Sequence, residues 1–138
     1  MLLSFNGFFI HKFLNKIFMP KKINPTWYFI DFENCTNLPH IKINNQDRLF
    51  IFLGQHQKLL HIDFVQKLLD LNKKVLIQLI QISGMGKNNL DFHIAFEMGV
   101  QQGIANEYTI FCVISKDKGF DQLINSINEK GRKCKREF

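Results

Sequence analysis

From Lys21 to the carboxyl terminus, short apolar runs alternate with segments whose apolar residues recur at helical intervals, and that alternation leaves few folds open. The runs are Trp27–Asp31, led in by Asn24 and Pro25, then Arg48–Gly54, Val75–Ile82 and Tyr108–Ser115. Arg48–Gly54 is continuously apolar past its first residue, as suits a strand covered on both faces. Between the runs, Leu59–Leu71 carries Leu60, Phe64, Val65, Leu68 and Leu69 at helical spacing. Further helices are predicted from Leu90 to about Gly103 and from Phe120 to about Glu129, and Cys134–Phe138 is a candidate edge strand. The pattern predicts an α/β fold: a three-layer α/β/α domain around a central parallel sheet of four to five strands. In such open sheets ligands gather beyond the carboxyl ends of the strands.

The chain of 138 residues has room for one domain, placed at 21–138, with 1–20 as an N-terminal extension of uncertain role. The apolar stretches of MLLSFNGFFIHKFLNKIFMPKK fall well short of the ~20 residues that span a bilayer. They also lack a leading basic cluster and a small-residue cleavage site, so neither a membrane span nor a secretion signal is expected. An amphipathic helix docked on the domain or on a membrane surface, or a natural start at Met19, are the readings left for this segment. Cys35, Cys112 and Cys134 have no metal-ligand spacing and are odd in number, which points to structural thiols in a reducing cytoplasm. A net charge of +6 favours a polyanionic partner, and Lys130, Arg132, Lys133, Lys135 and Arg136 crowd the end of the chain. The 15 Phe residues are read first as a packed core and only second as a base-stacking surface.

Aspartates stand where the sheet rule directs attention. Asp31 closes the first strand, Asp91 opens the helix after the third, Asp117 follows the fourth strand, and Asp121 lies in the first turn of the next helix. An Asp opening a helix is ordinarily a cap. Asp31 has no such backbone duty. Gathered at one sheet edge, four carboxylates repel each other, and a hard divalent cation relieves that repulsion. A cation so held can stabilise charge on a phosphodiester oxygen and activate water. The loop Ser83–Lys87 adds glycines and a lysine before a helix, a weak phosphate-binding signal without P-loop spacing.

Three blocks then resemble, in order and spacing, the motifs of PIN-like and NYN-type nuclease domains. They are Phe29-Ile-Asp-Phe-Glu-Asn34, Gly86-Lys-Asn-Asn-Leu-Asp-Phe-His93 and Ile114-Ser-Lys-Asp-Lys-Gly-Phe-Asp121, and the bacterial branch looks closest. The resemblance spans roughly Trp27 to Gly131 and implies a ribonuclease dependent on Mg2+ or Mn2+. It makes Asp31, Asp91, Asp117 and Asp121 both the catalytic and the metal-binding set. Asn34 and Ser115 match positions that support the site, and with Lys87, Asn88 and Lys116 they form the candidate substrate-binding group. Many PIN domains carry Glu where this chain has Asp91. Glu33 is an extra carboxylate that joins the site or supports it, and His93 is a lesser candidate for a general base.

The leading expectation is therefore hydrolysis of RNA, single-stranded in the first instance, with Lys87 and the C-terminal basic run holding the backbone. A non-catalytic PIN-like module that binds RNA or a regulatory protein is the first alternative, and a homodimer is compatible with either. A phosphotransfer domain or aspartyl-phosphate hydrolase is the second, weakened because Asp31-Phe-Glu33 lacks the Asp-x-Asp of such hydrolases.

Overall fold

The computed structural model describes residues 23–35, 38 and 41–138. The expectations for the N-terminal extension at 1–20 fall outside these residues. The described elements are β1 (Thr26–Asp31), β2 (Arg48–Leu53), α1 (Ile62–Asn72), β3 (Leu76–Gln81), α2 (Asn89–Gln102), β4 (Ile110–Ile114), α3 (Phe120–Glu129) and β5 (Cys134–Glu137). The strands form one sheet in the order β3-β2-β1-β4-β5, with every pairing parallel. From β1 the chain builds outward to β2 and β3, then returns to lay β4 against the other side of β1. The order therefore reverses between β1 and β4. Loops leaving the carboxyl ends of those two strands diverge there and open a crevice.

The apolar strands sort their side chains onto two faces by simple alternation. Trp27, Phe29, Phe50, Phe52, Phe111 and Val113 pack with Leu90, Ile94 and Met98 of α2 and with Phe120 and Ile124 of α3. On the other face Tyr28, Ile30, Leu49, Ile51, Cys112 and Ile114 pack with Phe64 and Leu68 of α1. Both faces are covered, which gives the three expected layers. Much of the Phe excess serves this core: Phe29 stacks on Phe50 at 5.1 Å and meets Phe111 edge-on at 5.0 Å, contacts worth about 0.5–1.5 kcal/mol each beyond area burial. Phe92 and Phe96 are different, each 71% exposed on α2. All three cysteines are free and buried.

The starts of two elements shift by more than one residue. α1 begins at Ile62 rather than Leu59, because His61 is extended (φ −63, ψ 136) and Leu59 projects into solvent. β4 begins at Ile110 rather than Tyr108, because Asn106 Oδ1 accepts from the Tyr108 N–H and the Thr109 hydroxyl, both at 3.0 Å, and folds that segment into a turn. The C-terminal basic run corrects more substantially. Arg132 is 5% exposed and donates to the carbonyls of Ala105, Asn106 and Thr109 at 3.2, 2.9 and 2.8 Å, with its guanidinium over the Phe111 ring. It staples the α2–β4 connection and cannot reach a nucleic acid. Lys135 is paired with Glu137 and Arg136 with Asp121. Among the basic residues of this run, Lys130 and Lys133 are the exposed ones with no ion pair described.

Candidate functional site

β1 delivers Asp31 into the crevice as the last residue of an apolar strand, with its side chain fully buried. A carboxylate there must be satisfied locally, and neighbouring loops do so. Oδ2 accepts from the Ser115 hydroxyl at 2.6 Å and from Asn34 Nδ2 at 2.7 Å, while Oδ1 accepts from the Asn34 N–H at 3.2 Å. Ser115 meets Asp31 because β1 and β4 run in register, Ile30 opposite Ile114, so the next residue of each strand exits side by side. Asn34 follows in the turn after β1. Both residues orient the carboxylate, and Ser115, fully buried, supports the site from beneath rather than facing substrate.

The same hydroxyl organises the third acidic position. Ser115 Oγ accepts from the Asp117 N–H at 3.0 Å, and Asp117 Oδ1 accepts from the Gly119 N–H at 2.7 Å. This is an Asx turn. Glycine leaves it room: a Cβ at position 119 would sit 3.1 Å from Asp117 Oδ1, a tight contact to which the Asp117 side chain would have to yield. The motif Ser-Lys-Asp-Lys-Gly therefore builds a rigid perch for one carboxylate.

Asp91 enters from the first turn of α2. A helix N-terminus ordinarily lowers a carboxyl pKa, yet this one is pushed up to about 6. Burial is the largest cause, followed by repulsion from Asp31, Asp117 and Glu33 and a hydrogen bond with Asp117 that favours the protonated form. Capping does not account for Asp91. Three strand-exit and helix-entry carboxylates share one low-dielectric neighbourhood, with Glu33 as a fourth contributor from the exposed turn after β1. The Glu33 carboxylate leans over Gly54 at the exit of β2, where a Cβ would stand 3.4 Å from Glu33 Cδ.

Asp121 is placed differently. Arg136 of β5 takes both its oxygens, Nε to Oδ1 at 2.7 Å and Nη2 to Oδ2 at 3.3 Å, and holds its carboxyl below the usual range. Lys87 and Asn88 line a cleft of about 490 Å3 with Asp91, Phe92, Ala95, Asp117, Gly119, Phe120 and Leu123. Asn88, in left-handed backbone (φ 62), immediately precedes α2, and Asn89 Nδ2 pins the glycine loop by donating to the Ser83 and Gly84 carbonyls at 3.1 and 3.0 Å. Lys116 lies 4.5 Å over the Phe138 ring, at the outer side of the β4 exit. A larger groove of about 600 Å3 beside α1 is lined by Phe32, Leu59 and Phe64 among others, and holds none of these acids.

Gln57 has no signal in the sequence and is structurally central. Its Oε1 accepts from the Gly54 N–H at 2.7 Å and its Nε2 donates to Phe32 O at 3.2 Å, which locks the exits of β1 and β2 together. Among the described residues no three His, Cys, Asp or Glu side chains are drawn together into a closed metal-ligand group. The donor chemistry nonetheless fits a hard divalent cation. It is all oxygen, and Asp91 lies among like charges whose repulsion such a cation would relieve. Residues 25–137 match the family model described as a PIN domain. No curated protein and no solved structure matches the chain.

Proposed function

The chain belongs to the PIN domain family, and on that premise we propose that it is a divalent-metal-dependent ribonuclease working at the carboxyl ends of β1 and β4. One observation carries the reading: Asp91 lies among Asp31, Asp117 and Glu33, and burial together with repulsion from these carboxylates raises its own carboxyl to about 6. Asp31, Asp91 and Asp117 would hold Mg2+ or Mn2+, which supplies Lewis acidity at a phosphoryl oxygen and a bound water of lowered pKa. Ser115 and Asn34 keep Asp31 aimed into the crevice, and Gly119 keeps Asp117 there. Lys87 and Asn88 flank the cleft through which a single-stranded RNA backbone would pass. Lys87 offers that backbone a charge, and Asn88 offers an amide.

The test is cleavage of unstructured RNA with Mn2+, with excess chelator, and with the Asp117→Asn protein. Cleavage that needs the metal and disappears in the variant is expected. Equal cleavage by the variant, or cleavage in chelator, would remove the proposal.

A second reading, a non-catalytic module for RNA or protein, draws on α2. Phe92, Phe96 and Val100 form an exposed apolar stripe there, 71, 71 and 42% accessible, and Ile104, 62% accessible, follows just past the helix end. A homodimer or a regulatory protein is the partner such a stripe would serve. Cleavage activity in the assay above decides against the purely non-catalytic form. No helix among the described residues is long and apolar enough to cross a membrane. A cytoplasmic setting is part of the same proposal.

A further inference from the structure

The fourth aspartate differs from the other three in what it touches. Both Asp121 oxygens are held by Arg136, and the remaining guanidinium nitrogen, Nη1, donates to Ser115 O at 3.2 Å. Ser115 is the residue whose hydroxyl holds Asp31. One guanidinium thus joins the fourth carboxylate to the backbone on which the first is supported. The sheet sets this up, because the β4–β5 register places Arg136 opposite Val113, two residues before Ser115. The Arg136 side chain is only 20% exposed. A guanidinium fork matches a carboxylate at two points and keeps its charge throughout the pH range of protein chemistry. The Asp121 side chain is 48% exposed, but a dication approaching it would have to enter against the charge of that fork.

We propose that Arg136 is a positioning residue that holds Asp121 out of the metal-ligand set and serves as the centre's fixed cation. The site then takes a single divalent ion on Asp31, Asp91 and Asp117. The inference rests on the metal-dependent reading above and narrows it, giving the reason Asp121 stands outside the ligand set and reducing an open ion count to one. Together one dication and one guanidinium offset three of the four aspartate charges. A second dication would have to bind where positive charge already stands.

Mn2+ titration calorimetry on the full chain tests this, with circular dichroism to verify that each variant is folded. One equivalent is expected for the parent protein. Asp121→Asn should keep that stoichiometry with a dissociation constant within about twofold of the parent, whereas Asp117→Asn should weaken binding by about tenfold or more, the scale seen when a metal centre loses a partner. Arg136→Gln removes the repelling charge and frees Asp121, so binding should tighten by about tenfold or a second equivalent should appear. Arg136→Lys, which keeps a point charge, should return the parent stoichiometry. Two equivalents in the parent, or a loss in Asp121→Asn as large as that in Asp117→Asn, would overturn the role of Arg136 and leave metal dependence standing. No uptake by the parent would overturn both.

Discussion

The two ends of the sheet treat buried charge in opposite ways. At the amino ends, Asp47 is 2% exposed and both its oxygens accept backbone N–H groups, from Thr26 at 2.7 Å and Asn44 at 2.8 Å. Arg132, near the same end, is matched to three carbonyls and an aromatic face. These charges are closed: each is saturated by groups that cannot leave, and each ties strand to loop. At the carboxyl ends Asp31 is equally buried, but hydrogen bonds hold it next to further carboxylates instead of pairing it with a cation. Like charges held together in this way oppose folding, and a fold that keeps them holds repulsion that an incoming cation would release. Burial alone therefore does not mark a functional acid. The sign of its neighbours does.

Removing one charge at each end should give opposite outcomes. Asp117→Asn should reduce Mn2+-dependent RNA cleavage by about a thousandfold, roughly 4 kcal/mol of transition-state stabilisation, while its denaturant midpoint in chelator stays level or rises. Arg132→Ala at the opposite end should do the reverse. It takes the Arg132 donor from three carbonyls, of which Asn106 O keeps the Thr109 N–H, and should cost about 3 kcal/mol of stability in urea titration, with cleavage per folded molecule unchanged. Asp47→Asn, which keeps one acceptor of two, should cost about 1–2 kcal/mol by the same measurement.

The smallest effect is the most diagnostic. The Asp91 carboxyl is raised in the folded protein from 3.8 to about 6, so between those values the unfolded chain gives up its proton while the folded one retains it. Stability in chelator must then fall as pH rises through that window and stay lowered above it. Asp91→Asn removes the effect and should raise the melting temperature by a few degrees at pH 7, with the gain vanishing below about pH 4. If Asp91→Asn instead lowers the melting temperature as Asp47→Asn does, the two ends are alike and the distinction fails.

Much of this was legible in the chain before its structure. The layered α/β fold follows from apolar runs and helical spacing, and the crevice follows from that topology. The places of Asp31, Asp91 and Asp117 in the fold were readable because strand ends and helix starts follow from local pattern, whereas Ser115 entered through the family resemblance. The arginines were not. Arg132 and Arg136 belong to one basic run in sequence, yet one caps carbonyls around position 105 and the other grips Asp121. Long flexible side chains choose partners by tertiary proximity, which charge density does not encode. Gln57 escaped for the same reason, since its two partners come from the exits of β1 and β2. The onset of α1 was misplaced because Leu59 and Leu60 fit a helical spacing although the backbone is still extended at His61.

Carboxylates crowd the strand exits in an arrangement that a cation would relieve, and the Asp91 carboxyl, raised by burial and by its acidic neighbours, reports on it. Its titration can be followed by carbon-detected NMR of the side-chain carboxyl, with chelator and then with saturating Mg2+. The expected result is a midpoint near 6 without the cation that drops into or below the ordinary aspartate range when Mg2+ is present. An ordinary midpoint in chelator, unmoved by Mg2+, would contradict the claim.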